Sequence, residues 1–243
     1  MALTARLALT GPDTSEPEDF LASSLGVIFP DDPLQFALAE VKAEEDRHLF
    51  SHYLWNSSLM LAELIEAGTL GLTIPHNPTI APPISDFDVS GLSSIELGAG
   101  TALPSIMSGL LGARRVVVTD YPAPPGHGWG ESDTPLAQAN EHAFDRVFVA
   151  DCLWMPWQHG NLRKSISWFL GEGEGARAWV ELLAEVGLEV EKIWERDCDG
   201  EDREWVWDRG IEDISVRKRW LAVASLKRIG KSEVPNGSEG KSP

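Results

Sequence analysis

Apolar residues recur along the chain in short blocks separated by glycine, proline and charge, and the spacing within the blocks changes in a regular way. Leu54, Leu61, Leu64 and Ile65 fall on one side of a 3.6-residue spiral, which predicts a helix over Leu54–Ala67 ended by Gly68. Phe36–His48 has helical spacing with more charge. Beyond residue 90 the apolar runs are short and continuous. Strands are expected at Ser93–Leu97, Arg115–Thr119, Arg146–Ala150, Arg177–Val180, Leu188–Arg196 and Arg217–Leu226. Helices are expected between them at Leu103–Leu111, Gln158–Leu170 and Glu181–Val186. Such alternation predicts an α/β fold, a Rossmann-like sheet with helices on both faces and ligands at the carboxyl ends of its strands.

The flanks read differently. Residues 1–35 form a mostly irregular arm: Met1–Thr10 reads as a flexible end, and Gly11–Pro33 is rich in Pro, Asp, Glu and Ser. Residues 36–229 form the main domain, entered through the proline-rich loop Ile74–Asp88, and 230–243 read as a disordered tail. A chain of 243 residues with 43% hydrophobic content supports one domain with a full core. No apolar run is long enough to cross a bilayer, and the first residues lack the pattern of a secretory signal. Two cysteines, Cys152 and Cys198, are too few for a disulfide framework or zinc cage, which suits a reduced, cytoplasmic compartment. A formal charge of −18 disfavours nucleic acid and anionic membranes and suits a cationic partner. Of ten tryptophans, some are expected to line a ligand site.

The chemistry concentrates in Glu96-Leu97-Gly98-Ala99-Gly100-Thr101-Ala102, which follows the apolar run Leu92–Ile95. Gly98 and Gly100 allow a sharp turn and let a ligand approach bare backbone, and the following helix aims its first N–H groups at the same place. Asp120 closes the next strand, where a carboxylate accepts the hydroxyl protons of a ribose. A dinucleotide-binding fold asks for glycine three places after the second; here Leu103 stands there, which disfavours a dehydrogenase.

Together with Leu103-Pro104-Ser105 and the segment Gly112 to Asp120, this order resembles the first motifs of class I S-adenosylmethionine-dependent methyltransferases. It is most similar to their lysine-methyltransferase-like group, which includes fungal proteins described as nicotinamide N-methyltransferase-like. The resemblance implies S-adenosylmethionine as cofactor and an acceptor that is a protein lysine, a protein N-terminus or a small amine such as nicotinamide. Trp55 would wall the donor and Ser58 hydrogen-bond near it; Glu96, Gly98 and Gly100 would face its methionine end and ribose. Trp129, between Gly128 and Gly130, would lie near the adenine. Asp151 and Trp154 match the position of the family's Asp-x-x-Tyr or Asp-x-x-Phe on the catalytic side, where Asp151 would orient an amine. In-line methyl transfer needs donor and acceptor held in register rather than a metal, so no metal ligands are expected. Oligomeric state is left open.

Other candidates carry blander readings. His159 is expected as a helix-start residue, and Glu195–Asp202 with Trp205 and Trp207 as either a substrate rim or a solvated loop. Two segments fall short of the family pattern. Tyr121–His127 cannot hold the crossover and strand that should follow Asp120, so the sheet is expected to be shortened at one edge. No loop separates Val180 from the next expected helix, and Ala102 replaces a glycine. These losses favour an alternative: a catalytically impaired methyltransferase-like binding or regulatory protein.

Overall fold

The computed structural model describes residues 7–10, 34–37, 54–120, 127–180, 188–211, 213–217 and 219–228. Leu7–Thr10 (β1) and Leu34–Ala37 (β2) pair in parallel as a small sheet of their own. The main sheet contains Ser93–Leu97 (β3), Arg115–Thr119 (β4), Arg146–Val149 (β5), Arg177–Val180 (β6), Leu188–Asp197 (β7), Asp202–Glu204 (β8) and Trp220–Arg228 (β9). Their order is β4-β3-β5-β6-β9-β7-β8. From β4 to β6 neighbours run parallel; β9, β7 and β8 add antiparallel pairs. Helices lie at Asn56–Leu70 (α1), Leu103–Leu110 (α2), Pro135–Gln138 (α3), His159–Phe169 (α4) and Ile214–Arg217 (α5).

The continuous apolar runs have their cause in double coverage. All residues of β3 and β5 are buried, as strands packed on both faces require. Along β5 the side chains alternate: Val147 and Val149 pack with Leu162, Ile166 and Phe169 of α4, whereas Phe148 joins Leu61, Leu64 and Ile65 of α1. Trp179 stacks on Phe87 at 4.0 Å between ring centroids and meets Trp194 edge-on, completing the α1 side of the core. Burying each such side chain contributes roughly 1.5–3 kcal/mol, so the sheet centre is also its energetic centre. β4, by contrast, exposes Arg115 and half-exposes its three valines, as an edge strand does. Among the described residues the main sheet stops there, on the side where the chain lacks room for another crossover.

Several expectations are corrected. α1 does not end at Gly68; it continues to Leu70, and Gly71 at φ 64° closes it. A Cβ on Gly68 would lie 2.4 Å from the Ile84 carbonyl oxygen, so this glycine marks a close approach inside the helix rather than its end. Phe36 and Ala37 belong to β2, so no helix starts at Phe36, and Leu7–Thr10 is a strand rather than a flexible end. The last strand begins at Trp220, with Arg217 in α5, because pairing with β7 runs from Asp197 opposite Trp220 to Leu188 opposite Arg228. The hairpin strand β8 was not expected. Residues 11–33, 38–48, 181–186 and 230–243 lie outside the described residues, and with them the arm, two helices and the tail.

Candidate functional site

The turn after β3 is built from residues in an unusual backbone region. Gly98 at φ 66°, Gly100 at φ 51° and Ala102 at φ 59° are all left-handed. Ala102 pays for this conformation with roughly 1–2 kcal/mol that glycine would not. Gly98 is required twice, because a Cβ there would also sit 2.7 Å from Cys152 Sγ and 2.9 Å from Trp129 Cζ2. The side chains of Trp129 and Cys152 therefore close directly over the turn.

Two carboxylates fix this turn, and they do different work. Asp120, at the tip of β4, accepts the Gly100 N–H through Oδ2 at 3.0 Å. Glu96, near the end of β3, is 1% exposed and accepts the Ser105 N–H at 3.0 Å in the first turn of α2. Burial pushes its carboxyl up to about 8, against hydrogen bonding from Ser105 and with added repulsion from Asp120. Glu96, expected to face a ligand, turns inward instead and caps the helix. Part of the helix N-terminus expected to greet an anion is thus already occupied.

A cavity of about 480 Å³ opens at the carboxyl ends of β3, β4 and β5. Trp55 and Ser58 reach it from the start of α1, Gly98 and Gly100 from the turn, and Asp120 from β4. Trp129 lines it from the loop before α3, and Asp151 and Trp154 from the segment after β5. The structure thus brings together every residue expected to hold the donor or the acceptor except Glu96.

Its walls hold residues that the motifs did not mark, including His127, Glu131, Gln158 and Asn161. His127 is 2% exposed, its Nε2 lies 2.8 Å from Ser165 Oγ, and its ring meets Phe169 edge-on. Burial pulls its pKa down, against the negative charge of Glu131. Gly128 makes room for Glu131: a Cβ there would lie 2.7 Å from that carboxyl group. The glycine run around Trp129 carried this signal, but spacing alone points to the aromatic residue and not to its neighbours.

Charge is distributed unevenly in the cavity. Asp120, Glu131 and Asp151 line it, and no lysine or arginine does among the described residues. Asp151 stands in the left-handed region at φ 56°, and burial raises its pKa. It caps no helix, since the next helical turn starts only at Pro156. A non-glycine residue held in this region beside a cleft costs on the order of 1 kcal/mol and is typical of working sites. Asp151 also borders a slot of about 30 Å³, together with Ser57, Leu64 and Trp179. The Ser57 hydroxyl and the Trp179 indole N–H are buried without hydrogen-bond partners.

Other candidates fall outside the site. His159 begins α4 and its Nε2 lies 2.8 Å from the Leu153 carbonyl oxygen, as suits a helix-start residue. Glu195–Asp202 is neither a rim of the cavity nor a solvated loop. It forms the β7–β8 hairpin, in which buried Arg196 pairs with Asp202 at 2.9 Å and Glu195 receives Arg203 and Arg209. Bare backbone at the glycine turn, a fixed carboxylate beside it and aromatic walls suit an adenosine-bearing ligand, and the surplus of carboxylates suits one with positive charge.

No protein-family model matches the chain. Curated fungal proteins do resemble it. A protein N-terminal and lysine N-methyltransferase EFM7 from Gibberella zeae is 27% identical, the match covering 72% of this chain and 80% of the relative. Its counterpart from Emericella nidulans is 26% identical, covering 70% of this chain and 73% of the relative. Another from Schizosaccharomyces pombe is 29% identical, covering 63% and 62% respectively. Among solved structures, a putative RNA methyltransferase from Pyrococcus horikoshii aligns at 14% identity with a TM-score of 0.42, over 80% of this chain and 92% of that one.

Proposed function

We propose that this chain, which is a class I S-adenosylmethionine-dependent methyltransferase of the lysine-methyltransferase-like group, methylates a protein amine, either a lysine side chain or an N-terminal amino group. One observation carries this reading: among the described residues, three carboxylates and no lysine or arginine line the cavity at the tips of the parallel strands. Both reactants are cationic in water, the donor at its sulfur and the acceptor as an ammonium, and such a cavity favours both. The fungal relatives, named as protein N-terminal and lysine N-methyltransferases, support the acceptor class. Two cysteines, neither in a disulfide, support a reduced, cytoplasmic setting.

When bound, S-adenosylmethionine supplies a methyl group on a positively charged sulfur, a good leaving group for in-line displacement. The chain's own residues hold and orient. Asp120, already fixed across the turn by Gly100, takes the ribose hydroxyls, and the bare backbone at Gly98 and Gly100 admits the ligand. Trp129 packs the base side, and Trp55 with Ser58 walls the cavity from α1. Asp151 accepts an N–H of the acceptor amine, which turns the nitrogen lone pair toward the methyl group. Trp154, 47% exposed beside it, screens the approach from water. A buried carboxylate with a raised pKa is also a better proton acceptor than an exposed one.

The test is transfer of a tritiated methyl group to the proteins of a cell extract, native or with all amines blocked beforehand. Expected is acid-stable label on native protein and none on blocked protein, with nicotinamide unlabelled. Asp151→Asn should lower kcat by roughly 10²-fold while the donor dissociation constant holds. Wild-type activity should also fall on the acid side, as pH drops through the raised pKa of Asp151 and the carboxylate loses its charge. Label on nicotinamide, or undiminished label on blocked protein, contradicts the acceptor assignment.

A further inference from the structure

We propose that β4 is a self-pairing edge: two copies of this chain join antiparallel along it, about a two-fold axis at Val117, into one continuous sheet. This goes beyond the methyl-transfer reading and does not depend on it.

Among the described residues β4 has a neighbour on one side only, β3. Its ladder uses the odd positions: the Arg115 N–H donates to the Leu92 carbonyl oxygen, and the Thr119 carbonyl oxygen accepts the Ala99 N–H. Backbone groups alternate in direction along a strand, so the N–H and C=O of Val116 and Val118 point away from the sheet. Native edge strands are ordinarily blunted by proline, a bulge or a free charge. β4 contains no proline, and it pairs with β3 without a bulge from Ser93 opposite Arg115 to Leu97 opposite Thr119. Its charged residue is tied back: Arg115 donates to Asn140 Oδ1 and lies over the Phe144 ring, 5.2 Å from the centroid. The three valines stay half exposed.

The sequence of this edge fits its own copy. A strand that meets itself about a two-fold axis runs antiparallel to its partner. With the axis at Val117, Val116 faces Val118 of the second copy, and Val118 faces Val116. These residues carry the outward groups, so each pair exchanges both backbone hydrogen bonds. Val117 meets itself, Arg115 faces Thr119, and the flanking charges Arg114 and Asp120 come opposite each other. An axis at Val116 would set Arg114 against Val118, and one at Val118 would set Asp120 against Val116. Charge therefore selects both the occupant and the register. A stable interface needs about 1,000 Å² or more, which a short strand pair does not bury alone. The axis also sets both α2 helices on one face of the joined sheet, beside the seam. α2 packs on β4, where a Cβ on Gly109 would lie 4.0 Å from Val116 Cγ2, and its exposed Ile106 and Leu110 supply further apolar area. The paired strands run opposite ways, so the two cavities open at opposite ends and stay accessible.

Sedimentation velocity at tens of micromolar, with oxidative cross-linking, tests this. Wild type should sediment with the mass of two chains. Val116→Pro removes an outward N–H that the sheet does not use, so this variant should sediment as one chain with its circular dichroism unchanged. In a Cys198→Ser background, where the remaining Cys152 is buried, Val117→Cys should link two chains by a disulfide on mild oxidation. Residues that face each other between hydrogen-bonded pairs stand about 4.5 Å apart at Cα, within the range a disulfide spans. Val116→Cys in the same background should not link, since the axis does not bring that position to its own copy. The cysteine pair guards against a proline variant that fails to fold. Wild type that sediments as one chain overturns the proposal and leaves this edge to another occupant. A dimer that withstands Val116→Pro in a folded variant, or that links through Val116→Cys and not through Val117→Cys, overturns this seam.

Discussion

Glu96 and Asp120 stand at the tips of adjacent strands, yet only Asp120 meets the cavity. Glu96 lies on the enclosed strand β3 beside α2, where its carboxyl oxygen accepts the Ser105 N–H. That position has a consequence for stability. Its folded pKa, raised to about 8 from 4.5, means that the folded state holds a proton the unfolded chain gives up. The favourable neutral form is fully present below the unfolded pKa, and its benefit drains away as pH rises through the folded one, at ~1.4 kcal/mol per pH unit. Glu96→Gln keeps an acceptor for Ser105 and cannot ionise. Urea unfolding should find the two proteins close at pH 5, with the Gln variant gaining on wild type up to pH 8; parallel pH profiles would contradict a buried, neutral Glu96. Sequence made both acids visible as strand-tip carboxylates. Which way each turns depends on the helix packed above, and strand periodicity carries no information about that.

At the scale of elements, the strands of the parallel centre and the main helices were legible, because double coverage writes continuous apolar runs and a 3.6-residue spacing. The ends were less so. Gly68 and Gly71 are the same letter with opposite meanings: one admits the backbone at Ile84 and Phe87 into a continuing helix, the other closes it in the left-handed region. Replacing a helix-interior glycine with alanine ordinarily stabilises by ~1 kcal/mol. Here Gly68→Ala should destabilise by about 1–3 kcal/mol, because backbone rather than a movable side chain fills the space. A thermal melt of the variant above that of wild type would show the contact to be loose. β8 and α5 escaped notice for another reason. They are short, and the hairpin that carries β8 is held by buried Arg196 on Asp202 and by arginines around Glu195, contacts without any local period.

For the molecule as a whole, the shortened edge was legible from arithmetic, since Tyr121–His127 is too short to contain a crossover, and among the described residues β4 is the edge of the main sheet. Much of the cavity wall comes from the tips of β3 and β5 and from α1 and α4, which pack on the fully buried centre, with Asp120 and the loop at Trp129 completing it. What the sequence could not disclose was that His127 and Glu131 line the cavity, since His127 is set by Ser165 of α4 and Glu131 by the space left at Gly128. The overall charge of −18 likewise says nothing of where the carboxylates face; three of them converge on one cavity. The most direct measurement is isothermal titration of S-adenosylhomocysteine into wild type and Asp120→Ala, each shown folded by circular dichroism. Expected is saturable binding to wild type, weakened roughly 10–100-fold in the variant, as the loss of a charged hydrogen bond of about 1.5–3 kcal/mol requires. No heat with wild type at millimolar ligand, or equal affinity in both proteins, would contradict a donor site at the tips of β3 and β4.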